Sequence, residues 1–258
     1  MSTPHLLAAS SWPEITAAVY DVAVLPWGAT EAHNRHLPYG TDTIQAGAVA
    51  ADAARMAADA GARVVVLPAV PFGVNTGQLD IPLCLNLMPS TQALVLRDLV
   101  RSVERAGIGK LVVLNGHGGN DFRQMIRELQ VETGVLLCTV NWYAVVDPRP
   151  FFDVPGDHAG ELETSVMLHL RPALVQLERA GPGSAHRFTV AGLREGWAWA
   201  QREWTRVTDD TGVGDPRAAS AEKGRAYLDA VIRKLAGFLV ELAATDRDHL
   251  YDSSPTAH

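Results

Sequence analysis

Four side chains that can bind a metal ion or carry a proton crowd into residues 28–42, which read GATEAHNRHLPYGTD. They are Glu31, His33, His36 and Asp42. The segment follows Val22–Trp27, an apolar run typical of a buried strand. In an extended segment, side chains two positions apart point the same way, so Glu31 and His33 can face one centre.

Asp42 stands immediately before a helical pattern, and this position allows two roles. Its side chain could cap the helix, because Asp is among the preferred N-cap residues, or it could reach back to the centre that Glu31 faces. Thr41 could serve as the cap instead and leave Asp42 free for that centre.

Two later segments carry the same types of residue. In NGHGGN (115–120), His117 stands between glycines, which permit backbone conformations closed to other residues. A phosphate cradle is the rival interpretation, but the segment lacks a following Lys and the GxGxxG spacing. In DHAGELETS (157–165), a continuous helix would place His158 and Glu161 on one face and Glu163 on another, whereas a loop around His158 would remove that constraint.

Imidazoles and carboxylates together favour Zn, Mn or Fe(II). The absence of a nearby Cys argues against a structural zinc site. A carboxylate shared by two such ions, with His and Glu on each side, would support a hydroxide nucleophile at neutral pH. Hydrolysis of an amide is the expected reaction. A nucleophilic serine has little support, because GxSxG is absent and Ser165 falls inside a predicted helix.

The elements that must position these residues are short apolar strands alternating with amphipathic helices. This alternation predicts an α/β fold with a mostly parallel sheet covered on both faces. Ligands in such sheets bind beyond the carboxyl ends of the strands, where GATEAHNRHLPYGTD, PFGVNTGQLD and NGHGGND all fall. The predicted strands are 22–27, 63–70, 110–115 and 135–142. The predicted helices are about 43–60, 91–105 and 121–132, a fourth that ends near 170, and a fifth that starts near Pro216 and ends at about 244.

Composition limits the class of partner. A formal net charge of −7 without a Lys/Arg cluster argues against a nucleic-acid partner and favours a small neutral or cationic substrate, or a peptide. The sequence shows no basic leader and no apolar run long enough to span a bilayer, so we expect a cytoplasmic protein without a membrane partner. The length of 258 residues fits one domain over 1–245 and a flexible tail over 246–258.

In order along the chain, GATEAHNRHLPYGTD, NGHGGN and HAGELETS closely resemble the three motifs of the creatininase (creatinine amidohydrolase) family. The resemblance implies a three-layer α/β/α fold, two divalent metal ions per chain (Zn, Mn or Fe), hydrolysis of a small-molecule amide, and commonly a homohexamer. By motif, Glu31 and His117 look like ligands of one ion, Asp42 like the bridge, and His33 like a ligand of the second ion.

The sequence departs from the family pattern at Gly119, where creatininase proper has a glutamate that completes the second metal site. We assign the missing ligand to Glu163, with Glu161 as the alternative. His158 matches the family's proton-transfer histidine, which is expected to protonate the leaving nitrogen.

Four residues are candidates for substrate binding. Arg35 replaces part of the family's usual Gly-Pro and could hold a substrate carboxylate or point to solvent. Trp197 and Trp199, together with Trp204, could close over a flat ring as a lid or form a subunit contact. Glu161 is the fourth candidate.

Three functions follow from the resemblance. The first is metal-dependent hydrolysis of a non-peptide C–N bond in a creatinine-like lactam, another cyclic amide or a formamide. The second is a peptidase of the mycofactocin-maturation type. The third is a catalytically silent small-molecule-binding relative that lost its second metal ion when Gly119 arose.

Overall fold

The computed structural model describes residues 5–251, so most of the predicted tail, 252–258, lies outside the described residues. Within that range the strands form a parallel sheet in the order β2-β1-β3-β4. The strands are β1 (Val22–Trp27), β2 (Val64–Val66), β3 (Lys110–Asn115) and β4 (Leu136–Asn141). The two central strands, β1 and β3, pair in register to their last residues, so their carboxyl ends are level.

Helices cover both faces of this sheet. They are α1 (Trp12–Thr16), α2 (Thr41–Asp59), α3 (Pro89–Arg105), α4 (Arg123–Leu129), α5 (Glu161–Leu170), α6 (Ala191–Glu195), α7 (Trp204–Val207) and α8 (Ala221–Ala244). Alternate residues of β1 face opposite ways: Val22 and Val24 pack with α2 and α8, while Ala23 and Leu25 pack with α3 and α4. This arrangement confirms the predicted three-layer α/β/α fold.

Two predicted boundaries were wrong. Strand β2 ends at Val66 rather than near 70, where Pro68, which has no N–H to donate to the ladder, interrupts the run. Helix α8 begins at Ala221 instead of near Pro216, because Ser220 caps it by accepting a hydrogen bond from the Lys223 amide at 3.3 Å.

Helices α5 and α8 pack very closely, which fixes the start of α5 beside the sheet. A Cβ atom on Gly224 would collide with the carbonyl oxygen of Ser165, so only glycine permits this approach. At the same crossing, Lys223 forms an ion pair with the buried carboxylate of Glu161. None of the helices in residues 5–251 has both the length and the apolar composition that a membrane span requires.

Candidate metal centre

Three side chains from different loops meet beyond the carboxyl ends of β1 and β3. His117 Nδ1 lies 2.8 Å from Glu31 Oε1 and 3.1 Å from Asp42 Oδ2. Glu31 follows β1, Asp42 lies in the first turn of α2, and His117 follows β3. All three are buried, with at most 5% of their surface exposed. This first group can hold one metal ion.

A second group shares the same aspartate. His33 Nε2 lies 2.9 Å from Asp42 Oδ1, and ligand atoms of His33, Asp42 and Glu163 lie within 4.8 Å of one another. Asp42 therefore turns one oxygen toward each group, as a carboxylate that bridges two ions would. Neither predicted cap is used, because Gly40 occupies the N-cap position of α2 and the Thr41 hydroxyl donates to the Pro38 carbonyl at 2.7 Å.

Backbone carbonyls fix the orientation of three imidazole rings. His33 Nδ1 lies 3.1 Å from the Glu31 carbonyl oxygen, His117 Nε2 3.1 Å from that of Val74, and His158 Nε2 2.8 Å from that of Ala32. Because a carbonyl oxygen only accepts, each of these nitrogens carries a hydrogen. In a neutral ring the other nitrogen then directs a lone pair toward the carboxylates, which is the orientation of a metal-binding histidine.

Divalent cations fit this arrangement. The imidazole lone pairs face negatively charged carboxylates, and a positive charge between the two removes their repulsion. Asp42 Oδ2 is buried without a hydrogen-bond partner, since its approach to His117 lacks hydrogen-bond geometry. Without metal, protons supply the charge: burial lowers the pKa of His33, but Asp42, Glu163 and Glu31 outweigh burial and raise it to about 10. The donor set of carboxylates and imidazoles suits Zn, Mn or Fe(II).

The carboxylates respond to the same charges. Burial raises the pKa of Glu31, but His117 and His158 outweigh it and hold that pKa below its usual value. Asp42 has a lowered pKa for the same reason, with His33 as the main partner that opposes burial. Burial dominates at Glu163, whose pKa is raised. Without metal, the protonated histidines therefore keep Glu31 and Asp42 ionised.

Position 119, where creatininase proper has a glutamate, has no room for a side chain in this protein. A Cβ atom there would collide with the Val74 carbonyl oxygen and with His117 Nε2, the two groups that form the ring's hydrogen bond. Glu163 reaches the centre from α5 instead. Its Oε2 accepts a hydrogen bond from the amide of Ala159, a residue with a positive φ of 49° that turns the chain immediately before α5.

His158 lies in the loop before α5, so the continuous-helix interpretation of DHAGELETS was wrong. Its backbone pairs with Val213, which fixes its position beside the centre. Its Nδ1 is 3.7 Å from Glu31 Oε1, and its ring centroid is 4.3 Å from that of His33. This geometry allows His158 to transfer a proton or to join Glu31 and His33 around one ion.

The structure does not bring all the sequence-predicted residues to the centre. Glu161 is excluded as a second-site ligand or substrate contact, because its carboxylate binds Lys223 and the Val154 amide. Arg35 is exposed and does not line the cavity beside the centre. Trp197 is 78% exposed and bonds Glu195, so a lid role for it is not supported; Trp199 lines the rim of the cavity.

Sequence reasoning missed the amide side chains that brace the loops. Asn115 Oδ1 accepts hydrogen bonds from the His117 amide at 3.1 Å and from Asn120 Nδ2 at 3.0 Å. Asn120 Oδ1 accepts from the Val74 amide at 3.0 Å, which positions the carbonyl that holds His117. The spacing of the two asparagines around the NGHGGN glycines was the available signal.

Gln78, in the predicted site loop PFGVNTGQLD, was also missed. Its Nε2 donates to Glu31 Oε2, while its Oε1 accepts from the Cys84 thiol at 3.4 Å. The same sulfur accepts from the Ala32 amide at 3.3 Å. These contacts engage one oxygen of Glu31 and leave Oε1 directed at His117.

Replacing Gln78 by leucine is expected to weaken metal binding about 10- to 100-fold, because Glu31 loses the partner that orients it. Isothermal titration with Mn²⁺ or Zn²⁺ measures this affinity directly. Gln124→Leu, on an exposed face of α4, is the matched control and should bind metal as the unmodified protein does. Equal affinities for the two variants would show that Gln78 does not position Glu31.

A cavity of about 1230 Å³ opens onto the centre and is lined by Glu31, Asp42, His117, His158 and Glu163 among others. It has room for a substrate well above the size of a single amino acid. Tyr143 and Trp204 contribute aromatic walls. Burial raises the pKa of Tyr143 to about 12, so its hydroxyl stays protonated and able to donate a hydrogen bond.

The fold and this centre define an α/β protein with groups of carboxylates and imidazoles that could hold metal ions at the carboxyl ends of parallel strands. A profile of the creatininase family, described as creatinine amidohydrolase, matches residues 8–239. The chain therefore belongs to the creatininase family.

Three relatives illustrate its position in that family. It is 33% identical to the mycofactocin precursor peptide peptidase of Mycobacterium tuberculosis, over 84% of this chain and 85% of that protein. It is 26% identical to the creatinine amidohydrolase of Pseudomonas putida, over 93% and 98% respectively. A crystal structure of a putative creatinine amidohydrolase from Bacteroides fragilis is 44% identical, with a TM-score of 0.92 over 98% of this chain and all of that chain.

Proposed function

We propose that this protein is a dinuclear metal-dependent amidohydrolase that cleaves a non-peptide C–N bond in a small cyclic amide, lactam or formamide. The observation that carries the proposal is Asp42, whose two oxygens face two separate imidazole and carboxylate groups. Bound divalent ions would polarise the amide carbonyl and bring the pKa of a water molecule close to 7.

Each residue of the centre has a separate task in this proposal. Glu31 and His117 would hold one ion, His33 and Glu163 would hold the other, and Asp42 would serve both. His158 Nε2 donates its hydrogen to the Ala32 carbonyl, so Nδ1, on the side of Glu31, is the atom that receives a proton and passes it to the leaving nitrogen. The Ala32 carbonyl thereby fixes the tautomer that this transfer needs.

Peptide cleavage is the second candidate function. It is favoured by the 33% identity to a protein named as a peptidase, compared with 26% to a creatinine amidohydrolase. A cavity of about 1230 Å³ also accommodates a short peptide. Because both reactions add water to an amide, the same metal centre would serve either substrate.

Metal analysis and a substrate screen test the proposal. Mass spectrometry of protein reconstituted with Mn²⁺ or Zn²⁺ should find about two ions per chain. The loaded protein is then offered lactams, formamides and short peptides, and hydrolysis of a lactam or formamide is the expected result. Cleavage of peptides alone would favour the second candidate, and absence of metal after reconstitution would contradict both.

A further inference from the structure

One guanidinium of the cavity lies against the aromatic ring next to His158. Arg202 Cζ is 4.5 Å from the centroid of the Trp204 ring, and that ring meets the His158 ring edge-on at 5.3 Å. These contacts keep the guanidinium within about 10 Å of the His158 ring. Arg202 and Trp204 both line the cavity that opens onto the metal centre.

The backbone beneath Arg202 is held in place by its neighbours. The Trp204 amide donates to the Gly77 carbonyl at 2.9 Å, and the Trp204 indole donates to the Thr211 carbonyl at 3.0 Å. Arg202 packs so tightly on Gly77 that a Cβ atom there would collide with the Arg202 carbonyl oxygen. The guanidinium thus extends from a fixed platform, which reduces the entropy lost when it binds a ligand.

The guanidinium of Arg202 makes only a weak ion pair within the protein. Its Nη1 donates to Asp157 Oδ2 at 2.6 Å, but the two side chains are 41% and 56% exposed, and such exposed ion pairs contribute little to stability. Over residues 5–251, the other guanidinium nitrogens of Arg202 have no hydrogen-bond partner. An incoming carboxylate can therefore replace Asp157 and form the two parallel hydrogen bonds that a guanidinium offers.

The second arginine of the cavity is less suited to this role. Arg123 uses two of its nitrogens on Asp121, its neighbour two positions earlier, and its side chain is 78% exposed. Arg202, in contrast, combines the aromatic platform, the free nitrogens and the proximity to His158. Arg123 therefore serves as an internal control at the same cavity.

We propose that Arg202 binds a carboxylate of the substrate, so that the substrate is an amide with an acidic group close to the bond that is cleaved. This inference rests on the proposed amidohydrolase function and names its substrate class. Because the guanidinium lies within about 10 Å of the His158 ring, at most about three residues of extended chain can separate the acidic group from the cleaved bond. N-formyl amino acids and lactams that carry a carboxylate meet this requirement within the proposed function. The carboxyl-terminal ends of short peptides meet it under the second candidate function. The net charge of the whole chain, which favoured a neutral or cationic substrate or a peptide, does not describe this single guanidinium.

Calorimetric binding to the metal-loaded protein tests the proposal without requiring turnover. N-acetylglycine is the acidic probe, and N-acetylglycinamide is its uncharged match. The unmodified protein should bind the acid about 10- to 100-fold more tightly than the amide, and Arg202→Gln should lose most of that difference. Arg123→Gln should retain it. An undiminished preference for the acid in Arg202→Gln would overturn the proposal.

Asp157→Asn is expected to change the affinity for N-acetylglycine in the opposite direction. Removing the carboxylate that competes for Arg202 should strengthen binding of N-acetylglycine several-fold and leave binding of the amide unchanged. Weaker binding of the acid in this variant would contradict the proposed exchange of partners. If the unmodified protein prefers the acid but hydrolyses no amide, the carboxylate site is supported and the proposed function is contradicted. If it hydrolyses an amide but shows no preference for the acid, the proposed function is supported and the carboxylate site is contradicted.

Discussion

Replacing Asp42 by asparagine is expected to reduce hydrolysis at least about 1000-fold and to lower the bound metal from about two ions per chain to one or none. Asparagine has nearly the same shape, but it offers one oxygen ligand and no negative charge. In the native protein the two oxygens lie 2.9 Å from His33 and 3.1 Å from His117, so the substitution breaks the contact with one group whichever way the amide turns.

The matched control is Asp52→Asn on the same helix. Asp52 is half-exposed and lies 3.7 Å from Arg55, so its loss should leave both metal content and rate unchanged. Metal content by mass spectrometry and initial rates on the best substrate from the screen give the comparison. An Asp42→Asn protein that keeps two ions and most of its activity would remove the shared carboxylate from the mechanism.

Replacing Gly224 by alanine is expected to destabilise the fold by about 3 kcal/mol and to lower Tm by about 6–12 °C. The added methyl group collides with the Ser165 carbonyl, so α8 and α5 must separate. Because α5 carries Glu163, this movement should also weaken binding of one of the two metal ions.

Gly237→Ala, in the same helix, should have the opposite effect. Gly237 is exposed, and a Cβ atom there meets nothing within 4 Å, so alanine should stabilise the helix by about 0.5–1 kcal/mol. Thermal unfolding followed by circular dichroism compares the two variants directly. Similar Tm values for both would show that α5 and α8 do not depend on close backbone contact.

The sequence predicted the strands best where both faces are buried. Val22–Trp27 and Lys110–Asn115 are continuous apolar runs, and the structure contains both as central strands with the predicted bounds. Pro68 and Pro216 show the limits of local pattern, because the first ended a strand early and the second lies outside the helix that it was expected to begin.

The candidate site likewise contains residues that the sequence could predict and contacts that it could not. Glu31, His33, Asp42 and His117 lie in loops that start or end at predicted elements, so parallel strand order alone places them near each other. The partners of Glu161 and Gln78 could not be predicted, because Lys223 and Glu31 are 62 and 47 positions away along the chain.

The hydrogen bonds that hold the three imidazoles end on main-chain oxygens, and a side-chain substitution cannot delete a main-chain oxygen. Positions 32 and 74 can therefore change their side chains while still fixing the tautomers of His158 and His117. Val74 lines the cavity, so the wall that meets a substrate can vary without altering ring protonation beneath it. At these two positions, the shape of the cavity wall and the chemistry of the centre can therefore change independently.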